Sequence, residues 1–309
     1  MNLRRLDRTR GWFVIVASAA FVASCGADEV DAYLVVRGAP AALDAEYLYY
    51  FKNDSREPRD LVSYRKTTGE QRALGNFDGG GGEIAVADGF VITNTTQGTI
   101  RVPVGGGPPE TVRAQRCRSI QVDDHTVYCV ADLPSSSEVL IAVPLSGGAE
   151  RVVVQARPVD YVVNRGEIFW SSSEGRLSKT EVATGRTMVL ATAPAILAIA
   201  VDESDVYFTD IDRQTGVRRL HQVPRSGGAP LALGEIGIVE TALAVDGRHV
   251  YWSQLGVYAA RKDRNGAPFM LGSSRAPAGG TLGPPRSILV DDSHVYWCDG
   301  QVRRVEKPQ

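Results

Sequence analysis

Short apolar runs recur along this chain in a fixed order. A run of three or four residues ends in Val-Asp, two or three turn residues follow, and a second run carries Val-Tyr-Trp or a close variant. The clearest copies are Ala200-Val201-Asp202 through Val206-Tyr207-Phe208, Ala244-Val245-Asp246 through Val250-Tyr251-Trp252, and Leu289-Val290-Asp291 through Val295-Tyr296-Trp297. Gln121-Val122-Asp123 through Val127-Tyr128-Cys129 and Val162-Val163-Asn164 through Ile168-Phe169-Trp170 depart from them slightly. Leu43-Asp44 through Leu48-Tyr49-Tyr50 and Ala85-Val86 through Phe90-Val91-Ile92 are degenerate. Read on the Tyr column, the copies fall at 49, 91, 128, 169, 207, 251 and 296, at intervals of 42, 37, 41, 38, 44 and 45 residues. That is the length of a four-stranded unit.

Each unit continues with a polar loop, a third run such as Leu140-Ile141-Ala142-Val143, and a hairpin rich in Gly (Pro144 to Gly148, Pro224 to Gly228) before a fourth run. Gly pairs supply the positive φ of tight hairpin turns. Near-continuous apolar runs, rather than alternating ones, predict strands buried on both faces. Trp170, Trp252 and Trp297 share one column with Tyr50, Ile92, Cys129 and Phe208, and a large side chain there predicts a wedge between neighbouring sheets. Seven such units closed in a ring make an all-β propeller, which leaves only short sheet edges. The seventh unit stops after a third strand at Gln301–Val305. Ala32–Val36, ahead of the first unit, is left over to complete it.

Val206-Tyr207-Phe208-Thr209-Asp210 and the Val-Tyr-Trp copies resemble the YWTD repeats of propellers of low-density-lipoprotein-receptor type. The resemblance implies a propeller over roughly residues 40–300. Those receptor repeats form six blades and seven units are counted here, so no receptor function transfers and six blades stays the alternative count.

The first 24 residues read differently. Arg4, Arg5, Arg8 and Arg10 precede an uncharged stretch from Gly11 to Ser24, too short to span a bilayer as a helix. It ends in Val22-Ala23-Ser24-Cys25, which resembles a bacterial lipobox. The resemblance implies that residues 1–24 are a signal peptide, that Cys25 is lipidated, that 25–31 form a short tether and that 32–309 are the propeller. Gly26 after the Cys favours the outer membrane over the inner one under the enterobacterial sorting rule. About six tether residues reach roughly 20 Å when extended. Removing the leader takes four Arg and one Asp from a chain of net charge −2 and leaves −5. The mature chain has no polybasic segment, so its membrane contact rests on the acyl chains. A chain of this charge gives no reason to expect nucleic acid as a partner.

Candidate chemistry is sparse. Fold logic sets the loops that enter each first strand, and those between second and third strands, on one face, the top, and there it places Glu83, Asp132, Asp160, Asp210, Asp212, Glu240, Arg286 and Asp299 as candidate binding residues at the channel mouth. Asp210-Ile211-Asp212 opens like a calcium loop and then loses the pattern at Gln214 and Gly216. The four His fall at separated positions without zinc spacing, and no nucleophile elbow, phosphate loop or dinucleotide fingerprint occurs. No cofactor, metal or catalytic residue is assigned. Asp44, Asp123, Asp202, Asp246 and Asp291, with Asn164, recur once per unit, which points to turn formation rather than catalysis. Cys117 and Cys129 share a hairpin. Pairing Val122 with Val127 sets Cys129 opposite Ile120, three residues from Cys117, a span of roughly 10 Å. Without a bulge that bridge does not close.

The reading that follows is a membrane-anchored binding or scaffold module of the cell envelope, with a protein, peptide or envelope polymer as ligand. A propeller lyase or hydrolase working around Glu83, Asp160 and Glu240, and a structural subunit of an envelope complex, are the alternatives.

Overall fold

A computed structural model of the protein describes residues 33–36, 38–52, 58–79, 83–132, 138–237, 242–273, 285, 287–299 and 301–309, with side chains from residue 41 onward. The signal segment, Cys25, Glu240 and Arg286 lie outside the described residues. The described chain has no helix. It forms seven antiparallel four-stranded sheets, each hydrogen-bonded in chain order except the last, and together they make a β-propeller. The inner strands of blades 1 to 7 are Gly38–Leu43, Ile84–Ala87, Arg118–Asp123, Tyr161–Asn164, Ile196–Val201, Leu243–Val245 and Ser287–Val290.

The second strand of each blade explains the continuous apolar runs. In blade 3, Val127 and Cys129 pack back on Ile92 of blade 2, while Tyr128 and Val130 pack forward on Tyr161 and Ile168 of blade 4. Both faces of the strand are core, so both parities of the sequence are apolar. The wedge column faces the preceding blade: Tyr50 meets Cys298 and Val302, Trp252 meets Tyr207 and Leu220, and Trp297 meets Tyr251 and Val257. Blade 2 departs from the predicted columns by one residue. Val91 packs back against Tyr49 and Ile92 packs forward, so Ile92 occupies the Tyr column and Thr93 the wedge column. The turn Asp88-Gly89 is closed by the Ala87–Phe90 pair just as Asp123–Thr126 and Asn164–Glu167 close theirs, so Phe90 takes the place of Thr126 and Glu167 and Val91 that of Val127 and Ile168.

The seventh blade is closed by both ends of the described chain. Tyr33–Val36 pairs with Val302–Glu306, Tyr33 opposite Arg304 and Leu34 opposite Arg303, as its outermost strand.

The recurring Asp residues build the turns on the bottom face. Asp246 Oδ1 accepts the Arg248 and His249 amides at 2.8 Å each, and its Oδ2 accepts the Tyr251 hydroxyl at 2.8 Å. Asp44 and Asp291 do the same with Tyr49 and Tyr296. In four blades a cation then ties this turn to the next. Lys307 reaches back to Asp246 at 2.6 Å and to its own blade's Asp291 carbonyl at 3.1 Å. Lys66 bonds Asp291 and the Asp44 carbonyl, both at 2.8 Å, across the seam between blades 7 and 1. Lys262 joins Asp202 to the Asp246 carbonyl, and Arg225 joins Asn164 to the Asp202 carbonyl. In blades 2, 3 and 4 the matching position, whose amide also bonds the turn, is Val104, Leu145 or Val182.

These contacts set two expected outcomes. Lys66→Met leaves Asp291 without its cation at the seam, and chemical unfolding should show a loss of about 2 kcal/mol, less than a fully buried pair because water still reaches it. Burial disfavours the charge on Asp246, but Lys307, two amides and Tyr251 outweigh it and hold the carboxyl at about 2. A depressed folded-state pKa stabilises above the unfolded value and ceases to as pH falls through the folded one. Unfolding free energy should therefore drop by about 2 kcal/mol between pH 4 and 2 through this group, and Asp246→Asn should flatten that slope.

Candidate functional site: the channel mouth

Where the inner strands begin, the ring encloses a cavity of about 390 Å³ on the top face. Blades 3 to 7 line it: Val162, Leu197, Ala198, Ile199, Ala242, Leu243 and Ile288 form an apolar wall, and Gln121, Asp160 and Ser287 supply its polar atoms. Val159, half exposed at 51%, stands at its edge.

Asp160 immediately precedes the inner strand of blade 4. Its backbone is pinned to buried Ser171: the Ser171 amide bonds the Asp160 carbonyl at 2.9 Å, and the Asp160 amide bonds Ser171 Oγ at 3.2 Å. The carboxylate crosses to blade 5, where Oδ2 accepts the Ile199 amide at 2.7 Å. Glu83 holds the same position in blade 2 and makes the same bridge, Oε2 accepting the Ile120 amide of blade 3 at 2.8 Å. Between them Gln121 ties blade 3 to blade 4, donating to the Tyr161 carbonyl at 2.5 Å and accepting the Val163 amide at 2.9 Å. Among the described residues no Lys, Arg or His lies within ion-pair distance of Asp160 or Glu83. Burial raises the Asp160 carboxyl to about 6, against the pull of the Ile199 and Tyr161 amides. Burial, then Glu83 and Asp160, push the Tyr161 hydroxyl well above its ordinary value, so it remains a donor.

The wall beside Tyr161 is shaped by a disulfide. Cys117 and Cys129 are bonded with Cα atoms 5.4 Å apart, and the register shifts between Arg118 and Gln121. That bulge supplies the shortening which regular pairing lacks, and it puts Ser119 at φ 55°. The Ser119 carbonyl thereby accepts the Tyr161 hydroxyl, which also donates to the Tyr128 carbonyl at 3.0 Å. Cys117 is clamped from blade 2 as well. Its amide bonds Asn94 and Thr99 at 3.1 Å each, and its carbonyl accepts from Asn94 at 2.6 Å. Blades 2, 3 and 4 are thus locked together under one side of the mouth.

Of the predicted binding residues, the structure brings Asp160 to the cavity and Glu83 to the equivalent strand start two blades away. Asp132 is an exposed rim residue paired with Arg118 at 3.0 Å, and Arg118 also contacts Glu138. Asp212 shapes its own loop, accepting the Gln214 and Thr215 amides. Asp299 is enclosed in a turn with Arg303 at 3.1 Å. Asp210 is 5% exposed and faces His221 at 3.2 Å inside the blade, where Phe208 stacks on that imidazole. Sequence reasoning missed Gln121, Tyr161 and the Leu197–Ile199 wall. One signal was available: an acidic residue stands directly before the inner strand in blades 2 and 4 alike. Among the described residues no three His, Cys, Asp or Glu side chains gather as a metal site.

No protein-family model and no curated protein matches the chain. Solved structures do share its fold. BamB from Moraxella catarrhalis superposes with a TM-score of 0.57 at 13% identity, over 88% of this chain and 85% of that one. An oligogalacturonate lyase in complex with manganese gives 0.63 at 12% identity, over 85% and 86%. A puromycin-hydrolysing peptidase of Mycobacterium tuberculosis gives 0.62 at 17%, over 88% of this chain and 51% of that one. At these identities the likeness is one of fold alone.

A carboxyl raised by burial destabilises the protein once ionised. Stability should fall as pH rises from about 4 through 6 on account of Asp160. Asp160→Asn keeps an acceptor for the Ile199 amide and should raise unfolding free energy by about 1–2 kcal/mol at pH 7.5 and leave it unchanged at pH 4.

Proposed function

We propose that this protein is an exported, lipid-anchored β-propeller of the bacterial envelope that works as a binding and scaffold module, with the channel mouth as its binding face. One observation carries the reading. The mouth is a concavity of mixed apolar and polar lining whose carboxylate Asp160 has no counter-charge among the described residues, while the bottom-face carboxylates Asp202, Asp246 and Asp291 each hold a lysine. Small cavities lined by apolar groups with a few fixed polar atoms are the usual form of a ligand site. The lipobox ending at Cys25 supports the anchor. The short segment between Cys25 and the closing strand then keeps the ring close to its membrane.

The enzymatic alternative has less support. Asp160 is the one mouth group tuned for proton transfer, and no second acid, base or nucleophile stands beside it among the described residues. The structural-subunit reading draws on Met188, Val189, Leu231 and Met270, exposed on the outer strands of blades 4, 5 and 6.

Photo-crosslinkers placed at Val159 and Val189 in the native host separate these readings. Capture of an envelope component at Val159 is the expected result; capture at Val189 alone transfers the reading to the structural subunit, and none at either site defeats both. Cys25→Ala should move the protein from the membrane to the soluble fraction after cell lysis.

A further inference from the structure

We propose that the channel mouth receives a lysine side chain of a polypeptide partner, its ammonium on Asp160 and its methylene stem along the Leu197–Ile199 wall. This rests on the mouth being the binding face, and it names the chemistry of what enters.

Three features of the site select that group. First, the carboxylate is fixed before any ligand arrives. Ser171 holds its backbone and the Ile199 amide holds Oδ2, so binding orders little on the protein side. Second, among the described residues no cation competes for Asp160. Its own strand brings Tyr161, a donor already spent on the Ser119 and Tyr128 carbonyls. The neighbouring strand in its blade brings Ser171, blade 5 brings the Ile199 amide, and blade 3 brings the uncharged Gln121. The other charged group felt at Tyr161 is Glu83, also acidic. The local field therefore favours a positive guest and rejects an anion. Third, the apolar side chains of Val162, Leu197, Leu243 and Ile288 line the cavity beside its polar atoms, and a volume near 390 Å³ is small for a ligand site. A lysine combines an apolar stem with a compact charged tip and buries the first while the second finds its partner. A guanidinium, planar and with five donors, asks for a second acceptor beside Asp160 that the wall does not supply.

The bottom face of the same molecule shows the chemistry at work. There, lysine ammonium groups bridge an Asp carboxylate and a backbone carbonyl between adjacent blades, as Lys66 and Lys307 do at 2.6–3.1 Å. At the mouth the carboxylate is present and the lysine is not contributed by the described chain.

The test uses the full chain, solubilised from membranes in detergent, and two blocked tripeptides, acetyl-Val-Lys-Val-amide and its norleucine counterpart, which keeps the stem and lacks the charge. Affinity is read by ligand-observed saturation-transfer NMR. The lysine peptide should bind at least tenfold tighter than the norleucine one at pH 7.5. With the free carboxyl titrating near 6, that advantage should shrink about tenfold by pH 5. Asp160→Asn should abolish it, and Glu83→Gln should keep it within about threefold. Equal binding of the two peptides, binding of neither, a pH-independent preference, or an unchanged preference in Asp160→Asn overturns the proposal. Should that variant not fold, the norleucine and pH comparisons on the native chain decide. Crosslinking at Val159 without a lysine preference leaves the binding face standing and removes only its ligand class.

Discussion

A ring of blades is stable only if it closes, and here closure falls on one seam. The strand Tyr33–Val36 completes the blade whose other strands come from the far end of the chain. That pairing alone is a short edge contact. Its neighbours make it a joint: Tyr50 of blade 1 packs on Cys298 and Val302 of blade 7, and Lys66 bonds Asp291 across the same boundary. Every other interface in the ring is formed between blades adjacent in sequence and has little loop entropy to overcome. The seam joins segments more than two hundred residues apart, so hydrogen bonds, core and charge are all brought to it.

The bottom turns and the channel mouth treat their inter-blade carboxylates in opposite ways. On the bottom, Asp202, Asp246 and Asp291 each accept the amides of their own turn and then a lysine from the next blade, and this double use drives their pKa values down. At the mouth, Asp160 and Glu83 also bridge blades, but each accepts a neighbour's amide and, among the described residues, no cation. The amide does not offset the burial of Asp160, so its pKa rises. In the proposed reading, a group that weakens the fold when ionised stands where a partner would supply the missing charge. The disulfide, the Ser119 bulge and the Asn94 clamp hold the adjoining wall rigid, so the cavity keeps its shape in the absence of a guest.

Much of the architecture was legible because strands buried on both faces leave uninterrupted apolar runs, and the turn Asp marks each one. The misreading of blade 2 shows where that signal thins. With no Asp at Ala87 and no aromatic at Ile92, nothing in the sequence locks the count, and a single-residue error moves each side chain to the opposite face. The disulfide was judged by regular pairing, under which it does not close. A bulge adds one residue to one strand, and local sequence carries no clear mark of it. Asp210 and Asp299 resemble rim residues in a linear reading. Only the fold shows that one sits against His221 within the blade and the other is consumed by Arg303.

The sequence by itself determined the repeat, the propeller, the wedge column outside blade 2, the turn carboxylates and which strand is left to close the ring. All of these are local patterns, or follow from one repeat lacking a strand. The tertiary structure alone decided which carboxylates are neutralised. Charge compensation depends on what the next blade presents across the interface, and that cation lies 60 residues away along the chain for Lys262 and Asp202 and 225 away for Lys66 and Asp291. Asp160 and Asp246 are the same residue type at opposite ends of equivalent strands. One meets an amide and an open cavity, the other meets Lys307, and their acidities diverge for that reason.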